Sequence, residues 1–296
     1  MPSGPVAAAI AYILWGLFPL YIKQIDHLPA LEIVLHRSAW SLVFVLGLLV
    51  VLRRFAWLGP VLRQPRTLAL FLLSALLLGG NWLLYVWSVN TGRVLDASLG
   101  YFINPLVNVL LGYAVLHERP RPLQWAAVAL AALGVLWLAL GVGHVPWVSL
   151  VLAASFGLYG LLRKTATLGA IEGLALETLL LAPLAVGGLL WLAWQGQGHF
   201  GQPPLVDSVW LLLAGPFTAV PLLLFAAGAR RVSLATLGLL QYVSPSIQFV
   251  LGVFLYQEPF STGRGIGFLL IWAALALYSA ESWRVLRRAR LAAQPG

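Results

Sequence analysis

The chain has 296 residues, of which 61% are hydrophobic and only 9% charged, with mean hydropathy +0.91 and a formal net charge of +9. A water-soluble domain must cover itself with polar groups, so this composition excludes one, and the absence of cysteine excludes disulfides and thiolate metal centres. The basic residues punctuate apolar runs instead of forming a patch, which removes nucleic acid as a partner and leaves an all-α, polytopic membrane protein bathed in lipid.

A helix needs about 20 apolar residues to cross the hydrocarbon core. The first such run, about 5–22, carries Tyr12 and Trp15. It lacks a basic leader and a small-residue cleavage site, so it reads as a retained span and not as a signal peptide. The second, about 32–52, opens on Glu32, His36 and Arg37; the third, about 67–88, places Asn81, Tyr85 and Ser88 on one face, with Trp82 close by. The fourth, about 96–116, holds Tyr101, Asn104 and Asn108 at i, i+3, i+7 around Pro105 and runs up to Glu118. The fifth (about 123–141) and the short sixth (about 146–162) follow, and the seventh, about 172–194, opens on Glu172 and Glu177. The eighth covers about 208–227. The ninth, about 234–256, repeats the polar spacing with Gln241, Ser244 and Gln248 around Pro245, includes Tyr242 and ends at Glu258. The tenth covers about 263–283 and leads into a basic tail, 284–296. Breaks fall in stretches such as "RRFAWLGPVLRQPR" and "WQGQGHFGQPP".

Cytoplasmic loops accumulate Lys and Arg. With the N-terminus inside, that side holds Arg53, Arg54, Arg63, Arg66, Arg119, Arg121, Arg163, Lys164, Arg230, Arg231 and the terminal arginines. The other side holds Lys23, Arg93 and Arg264. Both termini are therefore expected in the cytoplasm, at an inner membrane.

The chain also repeats itself at a distance of about 140 residues. "LPALE" (28–32) returns as "LGAIE" (168–172), Pro105 falls on Pro245, Leu111 and Gly112 on Leu251 and Gly252, and Glu118 on Glu258. Five spans per repeat is an odd number, so the second half must cross in the opposite sense. The expected architecture is thus ten helices in two inverted five-helix repeats, 1–141 and 146–283, an arrangement characteristic of transporters.

The polar groups inside the spans carry whatever chemistry there is. Under the repeat, Tyr101, Asn104 and Asn108 map onto Gln241, Ser244 and Gln248. They form either a substrate-facing wall beside helices kinked at Pro105 and Pro245, or a set of interhelical hydrogen bonds. Tyr12, Trp15, Trp82 and Tyr242 either pack or line the same pocket, and a cavity of amides and rings suits a neutral or zwitterionic organic solute. Glu32, His36, Arg37, Glu177, Glu118 and Glu258 are candidates for coupling or gating, with structural ion pairing as the alternative. Depth argues against pairing Arg37 with Glu177. Asp96 is the expected partner of Arg37, Arg230 or Arg231 that of Glu177, Arg119 or Arg121 that of Glu118, and Arg264 that of Glu258. "ALEIVLHR" offers one Glu–His pair, which is not a metal site, and no catalytic set stands out. No catalytic residue, metal or cofactor is expected, and a homodimer is allowed but not required.

The stretches "HRSAWSLVF", "NWLLYVWSVNTGRVLDASLGYFINPLVNVLLG", "SFGLYGLLRK", "ETLLLAPLA" and "LGLLQYVSPSIQFVLGV" resemble, in order, the RarD-type proteins. These form part of the EamA branch of the drug/metabolite transporter superfamily. The resemblance implies a ten-helix bacterial inner-membrane permease whose spans 3, 4, 8 and 9, with 1 and 6, line a central cavity. It implies a small metabolite or drug-like solute, chloramphenicol-like or amino-acid-like, with an integral-membrane enzyme, a passive channel or a lipid scramblase as alternatives. Small multidrug members of the superfamily carry a proton-coupling Glu in the first span; this chain has no acid between Pro5 and Tyr21.

Overall fold

The computed structural model describes residues 3–91, 93–141, 145–257 and 262–292, and all regular structure among them is helical. The long helices are α1 (Gly4–Ile22), α2 (Ala30–Leu52), α4 (Pro65–Asn90), α5 (Val94–Leu116), α6 (Pro122–Leu140), α7 (Trp147–Thr165), α8 (Ala170–Trp194), α9 (Leu205–Ala229) and α12 (Thr262–Ala292). The stretch taken above as a plain break between the second and third spans contains a short helix, α3 (Leu58–Leu62). The basic tail expected at 284–296 is helical as far as Ala292, as a continuation of α12.

The ninth span is broken. It consists of α10 (Leu234–Gln241), α11 (Val243–Val250) and a π-helical turn, Leu251–Leu255. Pro245 has no N–H to give the carbonyl of Gln241, and at Tyr242 the backbone bonds tighten to an i→i−3 contact with Leu239. Pro105 poses the same problem in α5, yet that helix runs on through it without a break, so the two prolines differ in whether they interrupt their span.

Among the described residues, nine helical stretches are long and apolar enough to cross a membrane. They correspond to every expected span except the sixth, α7, which carries Ser149, Ser155, Arg163 and Lys164. Buried and exposed residues are distributed as in a membrane protein. Val51, Leu140, Leu184 and Trp194 lie bare on the outside, while Glu32, Asp96, Asn104, Arg163 and Glu177 are buried.

Tight packing comes from small residues. A Cβ added to Gly228 of α9 would come within 3.0 Å of the Cβ of Ala8 in α1, and one on Gly134 of α6 within 2.9 Å of the carbonyl of Gly267 in α12. Helices from the two halves of the sequence interleave, with α5 against α7, α6 against α12, and α2 against both α8 and α9. Helix α10 runs antiparallel to α5. Leu234 sits beside Gly112, Gly238 beside Pro105 and Asn108, and Tyr242 beside Phe102.

Candidate substrate cavity

A cavity of about 1010 Å³ lies between α1, α2, α4, α5, α7, α9 and the broken α10–α11 span. Its rim is made by Lys23, Asp26 and His27 of the α1–α2 loop and by Tyr256 at the far end of the broken span, so it opens at that end of the bundle. Helix α1 supplies Trp15 and Phe18, α4 supplies Asn81, Trp82 and Tyr85, and α5 supplies Tyr101. From the second half come Phe156, Thr218, Gln241, Ser244 and Gln248. Tyr12 also borders the cavity, fully buried beside Trp15, where it joins an aromatic group with Phe225 and Phe156.

The fourth-span stripe splits by depth. Tyr101 reaches the cavity, but Asn104 and Asn108 do not. Asn104 donates from Nδ2 to the carbonyl of Ala153 in α7 at 2.7 Å, and Asn108 donates to Asn104 Oδ1 at 3.1 Å and to Gln241 Oε1 at 3.2 Å. They are interhelical links beneath the cavity, which corrects their placement as wall residues. Tyr242 is likewise fully buried, its hydroxyl donating to the Phe102 carbonyl at 3.1 Å. Antiparallel packing explains the split. Helix α5 starts at the open end and descends while α10–α11 rises towards it, so Asn108 meets Gln241 at the floor. Ser244 and Gln248 stand higher, open to the cavity. Gln248 is held by a 3.1 Å bond from Nε2 to the carbonyl of Trp15, and Asn81 by 2.9 Å bonds from Nδ2 to the Leu152 carbonyl and Ser155 Oγ.

The charged residues fall into two groups. Arg37 is half-buried on the cavity wall. Its Nε donates to Thr218 Oγ1 at 3.0 Å and its guanidinium lies over the rings of Phe18 and Trp82, 4.8 Å from each centroid. The expected ion pair with Asp96 is not formed; that residue instead receives, on its backbone carbonyl, the hydroxyl of Ser149 at 2.5 Å.

The others are tied away from the cavity, most of them at its closed end. Glu177 accepts from Ser74 Oγ at 2.5 Å and pairs with Arg163 Nη1 at 3.5 Å, not with Arg230 or Arg231. Arg230 is exposed and caps the carbonyls of Ala166 and Leu168. Glu118 pairs with Lys164 at 3.5 Å and accepts the Leu234 N–H at 3.0 Å, so its carboxylate caps the positive N-terminus of α10. Arg121, expected beside it, goes to Glu281 at 2.6 Å. Arg54 and Glu172 lie 3.4 Å apart. Glu32 is buried and holds the α8–α9 loop through the backbone N–H and ring Nδ1 of His199, both at 2.7 Å, with His36 at 3.8 Å. Glu258 lies outside the described residues.

Phe18, Phe156 and Thr218 were not singled out from the sequence. Thr218 carried a readable signal, a lone hydroxyl in a span between Pro216 and Pro221 in "GPFTAVP".

The model of the EamA-like transporter family matches residues 2–140 and again 145–280. An uncharacterized transporter of Pseudomonas aeruginosa is 46% identical over 288 residues, covering 96% of each chain. The RarD protein of Streptomyces exfoliatus is 47% identical, covering 95% of this chain and 89% of its own, and that of Escherichia coli 42% identical, covering 97% of each. A solved crystal structure superposes with a TM-score of 0.71 at 20% identity, covering 93% of this chain and 96% of its own, a likeness of fold.

Proposed function

Because this chain belongs to the EamA-like transporter family, whose relatives here include RarD proteins, we propose that it is an inner-membrane permease for a small organic solute. It works by alternating access between two inverted five-helix repeats, 1–141 and 146–283. The observation that carries this reading is a cavity open at one end, with the buried Arg163–Glu177 pair and the half-buried Lys164–Glu118 pair at the other. The span that completes ten is the sixth, α7, whose 19 residues reach about 28 Å at 1.5 Å per residue, close to the thickness of the hydrocarbon core. The polar content of α7 follows from its place among α4, α5 and α9, where Ser149 and Arg163 are buried in protein and not in lipid.

The arginine distribution puts both termini in the cytoplasm, so the cavity opens outward and the Arg163–Glu177 and Lys164–Glu118 pairs seal the inner end. Inward opening then requires those pairs to part while the α1–α2 and α10–α11 ends close. Glu177, Arg163, Glu118 and Lys164 are the gating groups of this scheme; Glu32 and His36 anchor a loop.

The chain has no cysteine, so accessibility can be read from a single introduced one. In right-side-out vesicles, Ser244→Cys should react with a membrane-impermeant maleimide added outside, and saturating solute should slow that reaction. Reaction only from the cytoplasmic side would contradict the outward-open assignment.

A further inference from the structure

The cavity wall carries one cation that no acidic residue answers among the described residues. Four of its lining side chains bear or can bear charge. Lys23 is paired with Asp26 at 3.1 Å, and His27 with Asp207 at 3.0 Å. Arg37 has no carboxylate within ion-pair distance among the described residues, and its electrostatic neighbours are the phenols of Tyr21, Tyr85 and Tyr101, uncharged at neutral pH. Its position is nonetheless fixed. Thr218 takes Nε, and Phe18 and Trp82 hold the guanidinium. The two terminal nitrogens donate to no protein acceptor among the described residues and are not among the buried unsatisfied atoms, so they address the cavity. A guanidinium presented in this way is a planar two-pronged donor, whose natural complement is a carboxylate.

The remaining lining says what the rest of the ligand is. Trp15, Trp82 and Phe156 offer apolar ring surface, while the Gln241 amide, its oxygen engaged by Asn108, keeps its Nε2 donor for the cavity. No unpaired carboxylate is available in the described lining for an ammonium or other cationic centre. Resting on the permease reading above, we infer that Arg37 is the anion subsite of this cavity and that the transported solute is an organic monocarboxylate with an aromatic or apolar body. This replaces the neutral or zwitterionic solute expected from amides and rings alone.

The test is ligand binding to the purified full chain in uncharged detergent, followed by thermal shift and titration calorimetry. The probes are a panel of arylalkyl monocarboxylates, such as 3-phenylpropanoate, each with its primary amide and its amine. The carboxylates should bind at least about tenfold more tightly than their amides, the scale of a charge-assisted bidentate contact, and the amines should bind least. Arg37→Gln should abolish the preference for carboxylate over amide, and Arg37→Lys should restore part of it. If Arg37→Gln does not fold, the order of the three probes on the unaltered protein still decides. Amides or amines binding as tightly as carboxylates, no binding by any carboxylate, or equal stabilisation by inorganic phosphate or anionic lipid would each overturn the inference. Transport itself is read separately as flux, so a permease that prefers neutral solutes is distinguishable from a chain that moves nothing.

Discussion

Arg37 and Arg163 stand within one helical bundle and are treated in opposite ways. Arg163 is 1% exposed and lies 3.5 Å from Glu177, itself fully buried. Arg37 is half-open to a cavity, held by a hydroxyl and two rings, with no acid beside it among the described residues. A buried pair with its charges matched is a structural closure, and removing one member strands the other. A cation left unmatched at the wall of a water-accessible cavity costs less, because water can solvate it, and it stays available to an incoming anion. The contrast divides the molecule into an end that is shut and an end that receives.

The sharpest way to break this contrast is to strand Arg163. Glu177→Ala should destabilise the protein by about 3–5 kcal/mol, read as a large fall in Tm. A loss of under about 1 kcal/mol would mean that the pair is not a closure. Replacing both members, Arg163→Met with Glu177→Leu, should recover most of that stability, because no unpaired charge remains. The double variant should also let a cysteine at the cavity floor react from the cytoplasmic side, as an inner gate without its latch would.

Between the two ends lies the floor, where Asn108 joins Asn104 to Gln241. Asn108→Ala should cost about 1 kcal/mol, the usual worth of a hydrogen bond inside a membrane bundle, and should weaken solute binding only through a looser Gln241. A complete loss of binding with Tm unchanged would return Asn108 to the cavity wall. The smallest net effect on stability is expected for Arg37→Gln, about 1 kcal/mol or less, because the lost Thr218 bond and ring contacts are offset by removal of a charge that no carboxylate pairs among the described residues. A fall in Tm as large as that of Glu177→Ala would erase the difference between the two arginines.

Much of this was legible in the sequence. Hydrophobic runs set nearly every span, and the polar residues at Asn81, Tyr101, Gln241 and Gln248 stood out because amides and phenols in an apolar run need partners or solvent. Partners were not legible, because they depend on which helix ends meet. Glu177 finds Arg163 across the α7–α8 turn, and Glu118 finds Lys164 and the start of α10, not the arginines next to it in the chain. Depth was hidden for a related reason. Matching Asn108 to Gln248 along the sequence pairs residues that lie at different levels, because α5 and α10–α11 run in opposite directions. The broken span was foreshadowed by Pro245, but the unbroken α5 shows that a proline alone does not decide a break.

The account rests on solute passing through the cavity, and the most direct measurement is uptake of a labelled aryl monocarboxylate into proteoliposomes. The expected result is saturable uptake by the parent protein, competed by unlabelled solute and lost in an Arg37→Gln variant of unchanged Tm. Uptake that rises linearly with concentration, or solute recovered chemically altered, would contradict it.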